Sequence, residues 1–330
     1  MRYRKFGNTD LTVSEIGFGA WAIGGNAMVG TTPIGWGAAD DEESVGAITK
    51  SIDNGVNFFD TADFYGLGHS EKLLGKVLRN NKEVLIATKV GHRNIDDSIV
   101  LDYSKEHIMN ACEASLRRLQ RDHIDYYQLH SARLNHLENH ACIEAMELLR
   151  QQGKIRHYGL SLNTFTPAPE AAFMMQHHVG NGFQLVFNLI NQRAAPLFQS
   201  AADAGYGIIA RMPLQFGLLT GKIKRDSVFG EDDHRHFRLT PQIIDTSLNA
   251  LESVAWPICR KYGISETTLA LSFILGFAPV STVIPGIRTS KQAAENTAGL
   301  VVLSADDMKI LTTAYEDHFK NVVTLMEKQG

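Results

Sequence analysis

Eight short apolar segments alternate with longer, helix-periodic segments along the chain. The apolar segments cover residues 17–20, 56–59, 84–88, 124–129, 155–160, 183–187, 207–210 and 281–284. Each is bounded by polar residues or glycine, which is typical of strands buried on both faces of a parallel sheet. Strands alternating with helices predict an α/β fold, and the count of eight favours a closed (β/α)8 TIM barrel over an open doubly wound sheet.

The connecting segments predict helices over residues 41–54, 104–119, 138–152 and 265–276. Acidic residues open the first of these, where the helix dipole favours negative charge. Two additions lie outside the repeat, an N-terminal β-hairpin around residues 8–10 and an extra C-terminal helix over 304–327. Residues 222–240 are charged and without periodicity, so we expect a long, mobile loop there. Because α/β barrels often exceed about 250 residues, we expect residues 1–330 to form a single domain.

Composition excludes several classes of partner. The net charge is −4, which provides no basic surface for nucleic acid. No apolar stretch approaches the ~20 residues of a membrane span, and the start of the chain lacks the apolar run of a signal peptide. We therefore expect a soluble, cytoplasmic protein. The three widely spaced cysteines, Cys112, Cys142 and Cys259, favour small buried apolar side chains over disulfides or a zinc site.

Two motifs resemble ligand sites but lack the context that would support them. Residues 17–22 match G-x-G-x-x-A, yet the sequence that follows is rich in helix breakers, whereas a Rossmann fingerprint requires a helix at the glycines. His136 and His140 stand four residues apart, but HLENH is not a zinc motif and no third ligand is evident. We therefore expect neither a Rossmann site nor a metal site.

Polar residues end three successive apolar segments. Asp60, Lys89 and His130 occupy these positions, and Tyr65 follows Asp60 by five residues. Because the carboxyl ends of barrel strands converge on one face, where barrel active sites lie, the four side chains are predicted to meet in one pocket.

These four residue types form a set suited to general acid catalysis. A phenol with a pKa of about 10 is a poor acid near neutrality, and an adjacent ammonium makes it a better one. Lys89 would supply the ammonium, Asp60 would hold it, and His130 would orient a carbonyl oxygen. Each residue alone would more often make a structural hydrogen bond, but the complete set favours carbonyl reduction. No side chain supplies a hydride, so a cofactor is required.

Six stretches resemble the signature motifs of the aldo-keto reductase superfamily, and the resemblance as a whole runs from about residue 3 to residue 300. They are FFDTADFYG (58–66), GHSEKLLGK (68–76), ATKVG (87–91), DYYQLH (125–130), GLLTGK (217–222) and IPGIRTSKQAAEN (284–296). The resemblance implies that Asp60, Tyr65, Lys89 and His130 are the catalytic tetrad, with Tyr65 as the general acid. It also implies NADPH, less often NADH, bound in an extended form without a Rossmann fold.

The resemblance also assigns a cofactor site. Ser161, Asn163 and Gln184 match the residues that hold the nicotinamide carboxamide, although Leu162 separates a serine and an asparagine that are usually adjacent. Arg211 stands where many members place an aromatic ring against the nicotinamide. The loops after strands 7 and 8 contribute Pro213, Gly217, Leu218, Thr220, Lys222, Gly286, Arg288, Ser290, Gln292 and Asn296. The guanidinium of Arg288 suits a 2′-phosphate, so NADPH is preferred to NADH.

The predicted function is reversible, NADPH-dependent reduction of an aldehyde or ketone, with a small-molecule carbonyl substrate. Trp21, Trp36 and Phe64 are candidate walls of the substrate pocket. Two alternatives stay open: an NADPH-binding redox-sensing or regulatory subunit with slow turnover, and a Schiff-base lyase that uses Lys89. The sequence leaves the identity of the substrate and the oligomeric state open.

Overall fold

A computed structural model describes residues 1–35, 37, 39–231 and 233–329. Trp36, one of the candidate pocket residues, lies outside the described residues. The strands are β1 (Tyr3–Lys5), β2 (Thr12–Ser14), β3 (Phe18–Gly19), β4 (Met28–Val29), β5 (Thr32–Pro33), β6 (Phe58–Asp60), β7 (Leu85–Val90), β8 (His92–Ile95), β9 (Ser98–Leu101), β10 (Ile124–His130), β11 (Ile155–Ser161), β12 (Gly182–Val186), β13 (Gly207–Arg211) and β14 (Val280–Ile284).

The α-helices lie mainly between these strands. They are α1 (Asp41–Asp53), α2 (His69–Leu78), α3 (Lys105–Leu119), α4 (Leu134–Glu138), α5 (Ala141–Gln151), α6 (Ala168–Gln176), α7 (Leu197–Asp203), α8 (Arg235–Arg238), α9 (Pro241–Val254), α10 (Trp256–Tyr262), α11 (Glu266–Leu275), α12 (Ser290–Thr297), α13 (Ala305–Ala314) and α14 (Lys320–Lys328). Among the residues described, no helix combines the length and the apolar character needed to cross a bilayer.

Eight parallel strands form the barrel in the order β14-β13-β12-β11-β10-β7-β6-β3. Backbone hydrogen bonds join the two edge strands, with Gly17 N donating to Val283 O at 2.8 Å and Gly19 N donating to Pro285 O at 2.9 Å. The predicted (β/α)8 fold is confirmed, since each of the eight apolar segments overlaps one barrel strand. The predicted N-terminal hairpin is present as the antiparallel pair β1–β2.

Some predicted elements differ in detail. The helix expected over 138–152 is present as α5, which begins at Ala141 because His140 adopts a positive φ of 61°, and the short helix α4 before it was not predicted. The C-terminal helix over 304–327 is interrupted by a π-helical turn at Tyr315–Phe319. Within 222–240, the short helix α8 forms and packs beside the barrel mouth. Residues 20–24 form a 3-10 turn instead of an α-helix, which agrees with the rejection of a Rossmann motif, and all three cysteines are buried and unpaired, as expected.

Alternation along each barrel strand separates an inward face from an outward one. On β10, Tyr126 belongs to the apolar cluster inside the barrel, whereas Tyr127 and Leu129 pack in the layer between the barrel and its helices. Side chains two residues apart share a face, so Gln128 and His130 point inward with Tyr126. The same argument places Asp60 and Lys89 inside the barrel, above an apolar floor.

The N-terminal hairpin closes the floor of the barrel through Phe6. The Phe6 side chain is fully buried, and its ring lies edge-on to the ring of Tyr126 with centroids 4.9 Å apart. Gly182 and Gly207 make room for this ring, because a Cβ at either position would lie 2.5 Å from it. Glycine is therefore required where these two strands approach the Phe6 ring, which plugs the floor of the barrel.

Phe6→Ala is expected to reduce the free energy of unfolding by about 3–5 kcal/mol, because it leaves a cavity that strands β12 and β13 cannot fill. Urea denaturation followed by circular dichroism measures this change. Val302→Ala, at a position with 78% exposure, is the control and should change stability by less than about 0.5 kcal/mol. Equal effects of the two substitutions would contradict a structural role for the plug.

Candidate active site

The ammonium of Lys89 is the centre of the barrel's polar interior. Lys89 is fully buried, and its Nζ lies 2.6 Å from Oδ1 of Asp60, which is also buried. Burial by itself lowers the pKa of an amine, but the charge and hydrogen bond of Asp60, together with the hydrogen bond to Tyr65, outweigh it and raise the pKa of Lys89. Lys89 is therefore held in the charged form.

Lys89 commits all three of its ammonium protons. Besides Asp60, its Nζ donates to the backbone oxygen of Thr61 at 2.7 Å and to the hydroxyl oxygen of Tyr65 at 3.2 Å. An ammonium has three donors and no acceptor, so the Tyr65 oxygen must accept this bond. The hydroxyl proton of Tyr65 then remains available for another partner.

A bend that requires glycine holds Tyr65 in place. Gly66 has a φ of 59°, and a Cβ on it would lie 2.1 Å from the backbone oxygen of Gly24. The loop after β6 therefore packs directly against the turn after β3. Trp21, on that turn, stacks on the Tyr65 ring with centroids 6.1 Å apart.

Two buried amides complete the surroundings of Asp60. Its Oδ2 accepts from Nε2 of Gln128 at 3.0 Å and from Nε2 of Gln184 at 2.7 Å. Gln184 also donates to Oε1 of Gln128 at 3.1 Å. The amide nitrogen of Gln184, which the resemblance assigned to the nicotinamide, is thus committed to the barrel interior. Gln128 was missed by the sequence reasoning, although its position two residues before His130 places it on the same inward face.

Two neutral imidazoles pack against each other at the barrel mouth, and one of them, His130, lies beside Tyr65. The ring of His130 lies 5.9 Å from the ring of Tyr65 and 4.3 Å from that of His92, measured between centroids. Burial, followed by the charges of His92, Lys89 and Arg211, lowers the pKa of His130 well below its usual 6.5. Burial also lowers the pKa of His92 to about 4. The Nδ1 atoms of both rings are buried without a hydrogen-bond partner. The sequence reasoning missed His92, which follows β7 by two residues.

A cavity of about 960 Å³ extends from these residues across the barrel mouth. The whole tetrad except the buried Lys89 lines it, as do Trp21 and Phe64. The other predicted site residues that line it are Ser161, Gln184, Arg211, Pro213, Gly217, Thr220, Lys222, Gly286, Arg288, Gln292 and Asn296. The sequence-predicted residues therefore converge on one continuous groove.

Three predicted cofactor residues do not line the cavity. Oδ1 of Asn163 accepts from the backbone nitrogens of Phe165 and Thr166 at 3.0 and 2.9 Å and so fixes the turn after β11. Leu218 is fully buried in the apolar core, and Ser290 is an exposed residue at the start of α12. The extra residue Leu162 separates Ser161 from Asn163, and only Ser161 reaches the cavity.

Features at the far end of the groove fit an extended anionic cofactor. Gly217 has a φ of 97°, so the loop after β13 presents its backbone without a side chain in the way. Helix α12 begins at the groove, and its N-terminus favours a phosphate. Nδ2 of Asn296 is buried without a partner, which leaves a donor for a ligand.

The fold and this groove together define a (β/α)8 barrel with an open cleft at the carboxyl ends of its strands, where barrel enzymes place their active sites. The sequence profile of the Aldo/keto reductase family matches residues 15–316. The chain therefore belongs to the aldo/keto reductase family and is an NAD(P)H-dependent oxidoreductase. Enzymes of this family act on small carbonyl compounds.

Individual relatives agree with this assignment. The chain is 29% identical to the oxidoreductase YqkF of Bacillus subtilis over 299 residues, covering 90% of each chain. It is 28% identical to the NADH-specific methylglyoxal reductase of Escherichia coli, covering 93% of this chain and 95% of that one. The solved structure of the glycerol dehydrogenase AKR11B4 from Gluconobacter oxydans superimposes with a TM-score of 0.80 at 27% identity, covering 96% and 95% of the two chains.

The depressed pKa of His92 predicts a dependence of stability on pH. Unfolding restores an ordinary pKa of about 6.5, so the unfolded state binds more protons than the folded state below that pH. The contribution of neutral His92 is complete above pH 6.5 and falls as the pH decreases towards 4, by up to about 3 kcal/mol. His92→Gln should therefore lose less stability than the wild type between pH 7 and pH 4.5 in urea denaturation. His318→Gln, at an exposed position, is the control. If the free energy of unfolding of wild type and of His92→Gln changes in parallel with pH, the prediction is wrong.

Proposed function

We propose that this enzyme reversibly reduces aldehydes or ketones to alcohols, with NADPH as the hydride source and Tyr65 as the proton donor. One observation carries the proposal: Lys89 directs one of its three protons to the Tyr65 oxygen. This leaves the phenolic proton free to point into the cavity. A cationic donor to the phenol oxygen also stabilises the phenolate that remains after proton transfer.

His130 and Tyr65 would bind the carbonyl oxygen together. A neutral imidazole carries one N–H, so His130 can donate to the oxygen without competing as an acid. Asp60 keeps the ammonium aimed at the phenol, and the two glutamines keep Asp60 aimed at the ammonium. Trp21 and Phe64 are proposed to wall the substrate, because both line the cavity beside Tyr65.

Bound NADPH supplies the hydride that no side chain can provide. Ser161 is proposed to hold the nicotinamide end, while Lys222, Arg288, Gln292 and Asn296 hold the phosphates and the far nucleotide. Arg288 supports NADPH over NADH, since its guanidinium suits the extra 2′-phosphate. One relative is named as NADH-specific, so the cofactor preference differs between similar proteins. The preference of this chain for NADPH is therefore inferred from its own Arg288.

The state of Lys89 disfavours a Schiff-base lyase. Such an enzyme needs a neutral amine as nucleophile. Here the amine is protonated and donates to three acceptors. A nucleophilic attack would break all three hydrogen bonds and leave Asp60 buried without its counter-ion.

Tyr65→Phe tests the proton donor. It should reduce kcat for a carbonyl substrate by about 10²–10⁴-fold, the usual contribution of a general acid, and leave the Kd for NADPH within about threefold. Stopped-flow turnover and fluorescence titration measure the two quantities. Tyr3 lies on the N-terminal hairpin at the opposite end of the barrel, and its exposed hydroxyl donates a hydrogen bond to the backbone oxygen of Gly55. Tyr3→Phe should leave both kcat and the Kd for NADPH unchanged. Near-normal kcat in Tyr65→Phe would exclude Tyr65 as the acid.

Arg288→Gln tests the cofactor preference. Removing a charge-assisted contact worth about 1.5–3 kcal/mol should weaken NADPH about 10–100-fold and NADH less than threefold. Fluorescence titration with both cofactors measures the change. Lys291→Gln, three residues further along in the first turn of α12 at a side chain 81% exposed, is the matched control. A wild type that binds NADH more tightly, or a variant that weakens both cofactors equally, would reject the NADPH assignment.

A further inference from the structure

A small side chamber of about 130 Å³ adjoins the main cavity near the catalytic residues. The two cavities share a wall that includes Arg211, His234 and Arg238. Thr164, Phe165 and Met326 line the chamber but not the main cavity. The chamber therefore lies between the loop after β11, the segment around α8 and the C-terminal helix.

Arg211 reaches this chamber with only neutral partners. Its Nη2 donates to the backbone oxygen of Leu162 at 3.2 Å and to Oγ1 of Thr164 at 3.1 Å, and its Nη1 contacts Sδ of Met212 at 3.3 Å. Its Nε is buried and has no partner. At least one donor of this guanidinium is therefore available to a ligand.

Arg238 is held by a neutral histidine. Its Nε lies 2.6 Å from Nε2 of His234, whose Nδ1 faces the backbone oxygen of Pro33 at 3.4 Å. Burial and the charge of Arg238 lower the pKa of His234 to about 4, so this ring accepts the hydrogen bond without balancing the charge. Arg235, on the same short helix, pairs with Asp233 instead.

Two guanidinium charges thus meet at one chamber, and no carboxylate among the described residues lines it. Within the described ranges, neither Arg211 nor Arg238 forms an ion pair, and burial lowers the pKa of both. The carboxylate whose charge acts on the pKa of Arg211 is Asp60, and Lys89 already pairs with it. Buried charges are costly unless they are paired, so this arrangement favours an incoming anion.

We propose that the side chamber binds an anionic group of the substrate, so that the preferred substrates are aldehydes or ketones that carry a carboxylate or a phosphate. This inference rests on the proposed carbonyl reduction and specifies its substrate class. Planar guanidinium groups are well matched to carboxylate and phosphate oxygens. Arg211 stands at the end of β13, between the chamber and the tetrad, so a bound anion would place the rest of the substrate towards Tyr65.

The cofactor phosphates are the competing source of negative charge. The residues proposed to hold them, including Lys222, Arg288 and Gln292, line the main cavity and not the side chamber. The chamber is therefore assigned to the substrate, and the experiment includes a separate measurement of NADPH binding.

The test compares matched substrate pairs at saturating NADPH. The pairs are 4-carboxybenzaldehyde with 4-formylbenzamide, succinic semialdehyde with 4-oxobutanamide, and glyceraldehyde 3-phosphate with glyceraldehyde. In the wild type, the anionic member of at least one pair should have a kcat/KM about 10–100-fold higher, as expected for charge-assisted hydrogen bonds. The pair that shows the preference distinguishes a carboxylate from a phosphate.

Arg238→Gln should abolish this preference, mainly through KM, while the Kd for NADPH stays within about threefold. His234→Asp supplies a carboxylate beside Arg238 and should also suppress the preference without removing the guanidinium. Arg225→Gln is the control, because it removes one arginine charge outside the cavity. Arg225 forms ion pairs with Asp245 and Glu252, and its replacement should retain the preference for the anionic substrate. Thermal melting identifies any variant that has failed to fold.

Three results would overturn the proposal. The first is equal kcat/KM values within all three pairs, and the second is a preference that survives in folded Arg238→Gln and His234→Asp. The third is a loss of NADPH affinity in Arg238→Gln as large as its loss of kcat/KM for the anionic substrate. If no carbonyl compound is reduced, the proposed function fails and the chamber is judged by binding alone. In that case, calorimetry measures whether benzoate or inorganic phosphate binds to NADPH-loaded protein. Binding that is lost in Arg238→Gln would support an anion site in the chamber. If neither anion binds to the wild type, the site is rejected.

Discussion

The buried ammonium of Lys89 is the constraint on which the upper half of the barrel depends. A charge in this environment is stable only if each of its protons has an acceptor. Asp60, the Thr61 carbonyl and the Tyr65 hydroxyl supply the three acceptors. This requirement fixes the position of the loop after β6 and thereby the position of the phenol. The same bonds that stabilise the buried charge therefore fix the arrangement that we propose to be reactive.

The charges around the cavity are unevenly balanced. Lys89 is paired with Asp60, and the two neighbouring histidines are neutral, so the tetrad region carries little net charge. Arg211 and Arg238 are held by neutral groups, which makes the adjoining wall positive. In a protein of net charge −4, a positive wall attracts anionic ligands locally, as the proposed acidic substrate requires.

Sequence reasoning located the barrel strands because a strand buried on both faces must be apolar and short. It predicted that Asp60, Tyr65, Lys89 and His130 would come together, because strand ends converge on one face of a barrel. It did not foresee the break at His140 or the π-helical turn, which depend on local backbone conformations that side-chain periodicity does not encode. It placed Asn163 in the cofactor groove, but the extra residue Leu162 directs that side chain into a turn. Gln184 reaches the groove, yet its amide nitrogen faces Asp60.

The sequence by itself determined the strand order in the chain, the inward face of each strand and the chemical types available at the strand ends. Those properties are local, since they follow from alternation and from burial. Closure of the barrel decided which inward side chains touch, for instance Gln184 with Asp60, 124 residues apart. Tertiary packing also decided which charges are neutralised. That pairing depends on distances between separate loops, and no periodicity along the chain specifies them.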